Sequence, residues 1–148
     1  MKIYIGADHQ GYQKREGLLK FLQDQGYTIA DKGDDTLDLV DDYPQFAGRV
    51  ASAVLASDDS DARGILLCGS GQGMCMAANR FKGIRACLGY DRQSVKSARN
   101  DDDSNVLCLP ARILSSDKTF EIVDVWLKTP FSKAPRFIRR NRELDELG

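Results

Sequence analysis

Short apolar runs alternate with longer amphipathic stretches along this chain of 148 residues. The runs are too short for helices, so each predicts a strand, and the stretches between them carry apolar residues at helical spacing. Strands that alternate with helices are typical of an α/β domain with a parallel sheet. The predicted strands are Lys2–Gly6, Tyr27–Asp31, Gly64–Cys68, Ile84–Leu88 and Asn105–Leu109.

The amphipathic stretches predict six helices, and the acidic, irregular segment 32–42 predicts a loop over the sheet's edge. In the second helix the apolar stripe includes Val50, Val54 and Leu55. The predicted helices are Tyr12–Gln25, one that starts at Pro44, one that starts near Met74, Arg92–Asn100, Lys118–Lys128 and a short one with Leu144 and Leu147.

The length predicts one domain, residues 1–148, with a single core. Its tail, residues 130–148, is rich in arginine and glutamate and poor in apolar residues. Such a tail rarely packs alone, so we expect it to dock on a second subunit.

Charge and composition exclude several classes of function. The formal net charge of −1 gives no basic field for nucleic acid. No apolar run reaches the roughly 18 residues of a membrane span, and the first residues look like a strand rather than a signal peptide. We therefore expect a cytoplasmic protein that binds neither nucleic acid nor membrane.

The four cysteines form no C-x-x-C pair, and each lies in or beside an apolar segment. In a reducing compartment about three of the four are expected to be buried free thiols. A single histidine and the absence of ligand spacing argue against a zinc site.

A glycine-rich loop, residues 69–73, follows the third strand directly. Gly69, Gly71 and Gly73 allow a tight turn that brings backbone N–H groups, and the start of the next helix, close to an anion. Cys68 lies at the mouth of this loop, where such a site favours a thiolate. The alternative is that Cys68 is simply the buried last residue of a strand.

Other phosphate-binding and catalytic loops fit this segment less well. A dinucleotide site has G-x-G-x-x-G after the first strand, and a Walker loop has Gly-Lys-Ser/Thr. A phosphatase loop closes with an arginine, whereas this chain has Met74. A Cys–His hydrolase would have to use His9, the only histidine, as its base.

Asp8 and His9 follow the first strand. Ligands of parallel sheets bind at the carboxyl ends of strands, where this pair and the glycine loop both fall. An Asp-His pair by itself more often caps the next helix. Next to the glycine loop, it indicates a functional site.

Segments in a fixed order along nearly the whole chain resemble the ribose-5-phosphate isomerase B / galactose-6-phosphate isomerase family. No one of these segments is specific, but together they are. They are Gly6–His9, Asp42–Pro44, Gly64–Gly73, Ala77–Asn79, Lys82–Ala86, Ala98–Arg99, Asn105–Leu107 and Trp126–Thr129.

The resemblance implies a Rossmann-like α/β/α sandwich with a five-stranded parallel sheet. It also implies a homodimer with active sites at the subunit interface. The sequence leaves open whether such dimers pair into a tetramer. The implied reaction is the isomerisation of a phosphorylated sugar between aldose and ketose through a cis-enediolate, without metal or cofactor. A base removes the proton beside the carbonyl and returns it to the neighbouring carbon.

The resemblance also assigns roles to residues of this chain. Cys68 stands at the position of the base; relatives that use a glutamate carry it where this chain has Met74. Ser70 matches a hydroxyl residue beside the base, and the N–H groups of the three loop glycines would hold the enediolate oxygens. The matched contacts are Asp8 and Tyr43 with the sugar, and His9 and Arg112 with the phosphate, Arg112 reaching across the dimer.

Two segments depart from the family pattern. Asp101 and Asp102 replace a ring-opening histidine and an asparagine that assists at the oxyanion. A carboxylate can accept a proton, so Asp101 stays a catalytic candidate that can open a ring. Two carboxylates near an enediolate nevertheless oppose its charge, unless one is protonated or turned away. In the tail, Arg136 and Arg140 align with phosphate-binding arginines if one residue is inserted, and Phe137 then replaces a histidine. The alternative for the first segment is a solvated helix end.

These departures leave the substrate and the activity open. A tetrose phosphate cannot close a stable ring and needs no ring opener, so it competes with ribose 5-phosphate as the predicted substrate. The alternative function is a catalytically silent phosphosugar-binding relative. A Cys–His hydrolase is the third.

Overall fold

The computed structural model describes residues 1–148. It contains five strands and six helices in the predicted alternation. The strands are β1 (Lys2–Ala7), β2 (Thr28–Asp31), β3 (Arg63–Cys68), β4 (Ala86–Leu88) and β5 (Val106–Pro110). The helices are α1 (Tyr12–Asp24), α2 (Tyr43–Ala56), α3 (Gln72–Ala78), α4 (Arg92–Asn100), α5 (Ser116–Lys128) and α6 (Pro135–Asp145).

All five strands pair in parallel in one sheet of order β2-β1-β3-β5-β4, which confirms the predicted sheet. β1 has β2 on one side and β3 on the other, so the strand order reverses between β1 and β3. At such a reversal the connections leave the sheet in opposite directions and open a crevice at the carboxyl ends of the two strands.

Helices cover both faces of the sheet, because successive side chains of each strand point to opposite sides. On one face Ile3 and Ile5 of β1 pack with α1, α4 and α5, whose Trp126 is fully buried. On the other face Tyr4 and Cys68 pack with α2 and α3. The result is the expected three-layer α/β/α sandwich.

Local signals explain where several helices begin. Pro44 lies in the first turn of α2, where a missing N–H costs nothing. Asp91 accepts the N–H of Ser94 while the Ser94 hydroxyl lies near the N–H of Asp91, a capping box that starts α4. Ser115 caps α5 by accepting the N–H of Lys118. None of the helices is long and apolar enough to cross a bilayer.

Some predicted details are wrong. The helix after the glycine loop begins at Gln72 rather than near Met74, because Gly71 adopts a left-handed conformation and caps it. Leu55 is 47% exposed and lies outside the apolar stripe of α2. Only Cys68 and Cys108 are fully buried, although all four thiols are free.

The C-terminal helix is also longer than expected. Pro135 begins α6 twelve residues ahead of Leu147, which lies beyond its end. Along α6 only Asn141 is buried, whereas Ile138 and Leu144 are 42% and 49% exposed. The main contact of α6 with the rest of the chain is an ion pair between Arg85 and Asp145. Arg85 Nη1 lies 3.0 Å from Asp145 Oδ1 and 2.9 Å from Oδ2. The helix therefore uses little of its surface within its own chain.

Candidate active site

The carboxyl ends of β1 and β3 bring Asp8 and Cys68 to the crevice where the strand order reverses. Cys68 is the last residue of β3, and Asp8 directly follows β1. The Asp8 N–H donates to the Leu67 carbonyl at 3.2 Å, which ties the two strand ends together. Both residues are about 5% exposed. The sequence prediction that these residues share one edge of the sheet is confirmed.

The glycine loop presents a set of free backbone donors. The N–H groups of Gly69, Ser70, Gly71, Gly73 and Met74 have no acceptor in the protein, and that of Gln72 has only the Ser70 hydroxyl, at 3.4 Å. Unpaired N–H groups that converge in a turn form a concavity for anions. Because α3 has only seven residues, these individual groups rather than a long helix dipole give the loop its affinity for negative charge.

The turn after β5 supports the loop from behind. The Ala111 N–H donates to the Cys68 carbonyl at 2.8 Å, and the Arg112 N–H donates to the Gly69 carbonyl at 3.0 Å. The Arg112 side chain and Gln10 also press on Gly69, where a Cβ atom would overlap Gln10 and lie 2.7 Å from Arg112 Nε. Arg112 therefore lies against the loop of its own chain.

Tyr43 closes another side of the loop. A Cβ atom at Gly73 would lie 2.7 to 3.0 Å from three atoms of the Tyr43 ring, so the ring rests directly on the glycine backbone. Tyr43 begins α2 and is 39% exposed. Its ring thus forms a partly open wall beside the free N–H groups.

Asp8 and His9 are held by separate partners. The Asp8 carboxylate accepts the N–H groups of Gln10 and Gly11 at 3.0 and 3.3 Å, while burial raises its pKa. His9 Nδ1 lies 2.7 Å from Asp41 Oδ1, and this contact raises the pKa of His9. Polar side-chain atoms of Asp8, His9 and Asp41 lie within 4.8 Å of one another. Each of the three side chains already has a hydrogen-bond partner.

Lys14 of α1 supports the turn that carries Arg112, a role the sequence did not indicate. Its Nζ donates to the Ala111 carbonyl at 2.9 Å and also to the Leu114 carbonyl. Burial of this ammonium group lowers the pKa of Lys14. The contacts join residues about a hundred positions apart, so no local pattern could have announced them.

Replacing Lys14 with methionine should loosen this turn while keeping the length of the side chain. We expect a loss of about 1–2 kcal/mol of stability, and a several-fold lower affinity of the glycine loop for inorganic phosphate. Thermal unfolding and calorimetric titration with phosphate measure the two effects. Lys20→Met is the matched control, because Lys20 is an exposed residue of the same helix that pairs only with Asp24. Equal effects of both variants would remove Lys14 from this role.

The other candidate residues form a second group. Asp101 ends α4 and accepts the Asn100 amide at 2.7 Å. Asp102 follows, and its pKa is raised by burial and by the charge of Asp101, against the attraction of Arg140 and Arg85. Arg136 and Arg140 both stack on the Phe137 ring, at 4.4 and 5.9 Å from its centroid. The second group thus joins the end of α4 to one face of α6.

The two groups lie at opposite ends of the strands, the first at the carboxyl ends and the second near the amino ends. α4 starts after the carboxyl end of β4 and runs back, so residues 101–103 lie near the amino end of β5. Cys68 pairs with Pro110 at the carboxyl end of β5, and the strand between spans about 13 Å. Within one chain, Asp101 and Asp102 therefore do not meet Cys68.

Comparisons with known proteins agree on one family. The family model described as Ribose/Galactose Isomerase matches residues 3–145. The chain is 42% identical to a probable ribose-5-phosphate isomerase B of Mycoplasma pneumoniae over 87% of this chain and 84% of that protein. It is 35% identical to ribose-5-phosphate isomerase B of Mycobacterium tuberculosis over 95% and 85%.

Solved structures give the same result. A ribose-5-phosphate isomerase B from Thermotoga maritima superposes with a TM-score of 0.92 at 39% identity, covering 99% of this chain and 98% of that one. The enzyme from Mycoplasma genitalium with bound ribulose 5-phosphate gives 0.91 at 37% identity, covering 99% and 97%.

Proposed function

The chain belongs to the ribose/galactose isomerase family of sugar-phosphate isomerases, and we propose that it interconverts the aldose and ketose of a four- or five-carbon sugar phosphate with Cys68 as base. One observation carries the assignment of Cys68. Cys68 ends β3 at the carboxyl edge of the sheet, and its thiol is the one that directly precedes the loop of free N–H groups. The family supplies the reaction class, and this geometry supplies the residue.

In the proposed reaction the Cys68 thiolate removes the proton from the carbon beside the carbonyl. The electron pair of that C–H bond forms the carbon–carbon double bond of a cis-enediolate, and negative charge moves to the carbonyl oxygen. Free N–H groups at Gly69, Gly71 and Gly73 are placed to stabilise such charge as it develops. The thiol then returns its proton to the former carbonyl carbon. The hydroxyl proton on the deprotonated carbon passes to the former carbonyl oxygen, so the new carbonyl forms at the deprotonated carbon. Ser70, next in the loop, is proposed to hold a substrate oxygen.

The remaining residues at this edge are proposed to bind the substrate. Asp8 and Tyr43 flank the loop and suit the sugar hydroxyls. His9 and Arg112 carry positive charge beside the same loop and suit the phosphate.

We propose that a second copy of the chain completes the site. Asp101, Asp102, Arg136 and Arg140 lie at the opposite edge, so only another subunit can bring them to Cys68. The exposed Ile138 and Leu144 of α6 agree with a surface that is covered in a dimer. A chain carrying Cys68→Ser and one carrying Arg136→Ala and Arg140→Ala are each expected to be nearly inactive as homodimers.

Co-expression of these two chains tests the shared site. Random pairing makes half of the dimers mixed, and each mixed dimer has one intact site of two, so about a quarter of wild-type activity should return. If the mixture stays inactive, each site lies within one chain. Sedimentation of the wild-type protein separates a dimer from a tetramer.

The substrate is proposed to be an open-chain sugar phosphate, because Asp101 replaces the histidine that opens rings in the family. Incubation in D2O with erythrose 4-phosphate, and in parallel with ribose 5-phosphate, followed by NMR, tests this choice. Deuterium beside the carbonyl with ketose formation establishes the isomerase, and faster turnover of the tetrose supports the open chain. Binding without exchange on either sugar favours a phosphosugar-binding protein without catalytic activity. The acidic pair Asp101 and Asp102 supports this alternative.

A further inference from the structure

The carboxylate of Asp41 holds His9 at two points. Asp41 Oδ1 accepts the backbone N–H of His9 at 3.0 Å and lies 2.7 Å from the ring atom Nδ1. The Asp41 side chain is only 7% exposed, against 27% for His9, so the carboxylate lies behind the ring. Asp41 belongs to the loop before α2 and reaches a residue 32 positions earlier in the chain. This pairing fixes both the backbone and the ring of His9.

The contact determines which ring nitrogen carries a proton. A carboxylate accepts hydrogen bonds, so Nδ1 of His9 must be the donor toward Asp41. Nε2 has no partner in the protein, and His9 borders a groove of about 360 Å³ that Gln10, Gln13 and Leu37 also line. A neutral ring with its proton on Nδ1 would offer Nε2 only as an acceptor. An imidazolium offers Nε2–H as a donor to an anion.

The charged groups that shift the pKa of His9 all favour the imidazolium, and Arg112, which lies against Gly69, is not among them. Asp8 at the end of β1 and Asp38 and Asp41 of the loop are all acidic, and Asp41 has the largest effect on the pKa of His9. Tyr12 and Glu16 of α1 line the same groove. None of these side chains is a cation that would repel the charged ring.

We propose that Asp41 is a positioning residue, which fixes His9 as a charged Nε2–H donor for the phosphate group of the substrate. The inference rests on the phosphate-binding role proposed above for His9. Asp41 does not contact the substrate itself. It determines which nitrogen of His9 donates a hydrogen bond to the phosphate dianion. A charge-assisted hydrogen bond of this kind is about twice as strong as a neutral one.

The sole histidine of the chain makes the contact directly measurable, because its ring signals need no assignment. In the wild-type protein, long-range proton–nitrogen NMR should find the Nδ1–H tautomer above the titration midpoint; the Nε2–H tautomer would overturn the proposal. This measurement requires no variant. Asp41→Asn should lower the midpoint of His9, while Asp35→Asn should leave it unchanged. Asp35 is exposed in the same loop, and its carboxylate makes no hydrogen bond or ion pair.

Kinetics and phosphate binding separate positioning from a structural role. At a pH between the midpoints measured for His9 in the two proteins, Asp41→Asn should raise KM for sugar phosphate about tenfold with kcat nearly unchanged. Near pH 5.5 its KM should approach the wild-type value, because the ring is then charged in both proteins. A KM defect of equal size at both pH values would mean that Asp41 only supports the fold, and would contradict the proposal.

Inorganic phosphate distinguishes this proposal from the isomerase assignment. Titrated into the wild-type protein, it should shift the His9 ring signals, and should do so more weakly in Asp41→Asn at a pH between the two measured midpoints. If this result is obtained but the protein turns over no sugar phosphate, the proposed roles of Asp41 and His9 stand and the isomerase proposal fails. Turnover with no response of His9 to phosphate would leave the isomerase standing and reject the role of Asp41.

Discussion

Replacing Cys68 with serine is expected to lower kcat at least about a thousandfold, because it removes the proposed base for proton abstraction. A hydroxyl is a far weaker acid than a thiol, so serine supplies almost no anionic base near neutral pH. The exchange of one atom at a site that is 5% exposed leaves the packing with α2 and α3 nearly unchanged. Affinity for a sugar phosphate should therefore stay within a few-fold of wild type.

Deuterium exchange measures the first effect, and calorimetric titration with a sugar phosphate measures the second. Cys87→Ser is the matched control, because burial raises the pKa of Cys87 to about 11 and keeps that thiol neutral. The Cys87 thiol on β4 donates to the Ser104 hydroxyl at 3.5 Å and makes no hydrogen bond to the glycine loop, so its replacement should preserve turnover. Wild-type exchange in Cys68→Ser would exclude Cys68 as the base. Loss of binding together with turnover would indicate a structural role instead.

Replacing Gly71 with alanine is expected to damage both stability and activity. Gly71 has φ of +76°, which disfavours any side chain, and its Cβ would lie 2.5 Å from Leu88 Cδ1. The same atom would lie 3.1 Å from the Leu109 carbonyl carbon and 3.2 Å from the Pro110 nitrogen, and this backbone cannot rotate away. Strain and overlap together should cost about 2–4 kcal/mol.

The loop must shift to relieve that overlap, and its free N–H groups would move with it. Loss of oxyanion donors typically costs a hundredfold or more, so we expect kcat to fall by about that factor. Gly26→Ala separates strain from overlap, since Gly26 has φ of +85° but nothing within 4 Å of an added Cβ. That variant should lose about 1 kcal/mol and keep full activity. Chemical unfolding and kinetics compare the two variants. Equal losses of stability and activity in Gly71→Ala and Gly26→Ala would refute the proposed role of the Gly71 turn.

The fold was largely predictable because its signals are local. Each of the five apolar runs became a strand of the parallel sheet, and α4 has its predicted bounds. The predicted helix bounds are wrong where backbone conformation or tertiary contacts outweigh the local sequence pattern. Gly71 starts α3 early because it can adopt a conformation that other residues avoid, and α6 forms although its apolar residues stay exposed.

The site was predictable only in part. The rule that ligands meet strand ends placed Asp8, His9 and Cys68 together, and the structure has them at one edge. The contacts of Asp41 and Lys14 escaped notice because they join residues 32 and 97 positions apart without a sequence motif. The separation of Asp101 and Asp102 from Cys68 depends on the direction of α4, which periodicity does not reveal. The roles of all these residues remain predictions.

The position of β5 between β3 and β4 has a consequence for how a newly made chain acquires its site. While a ribosome has released the protein only as far as β4, that strand has no neighbour on the sheet, and one edge of β3 is open. The carbonyl groups of Cys68 and Gly69 then also lack the N–H groups of Ala111 and Arg112. The loop that is synthesised early therefore gains its support late, so a half-made chain carries Cys68 and Gly69 without the turn that holds them in the finished fold.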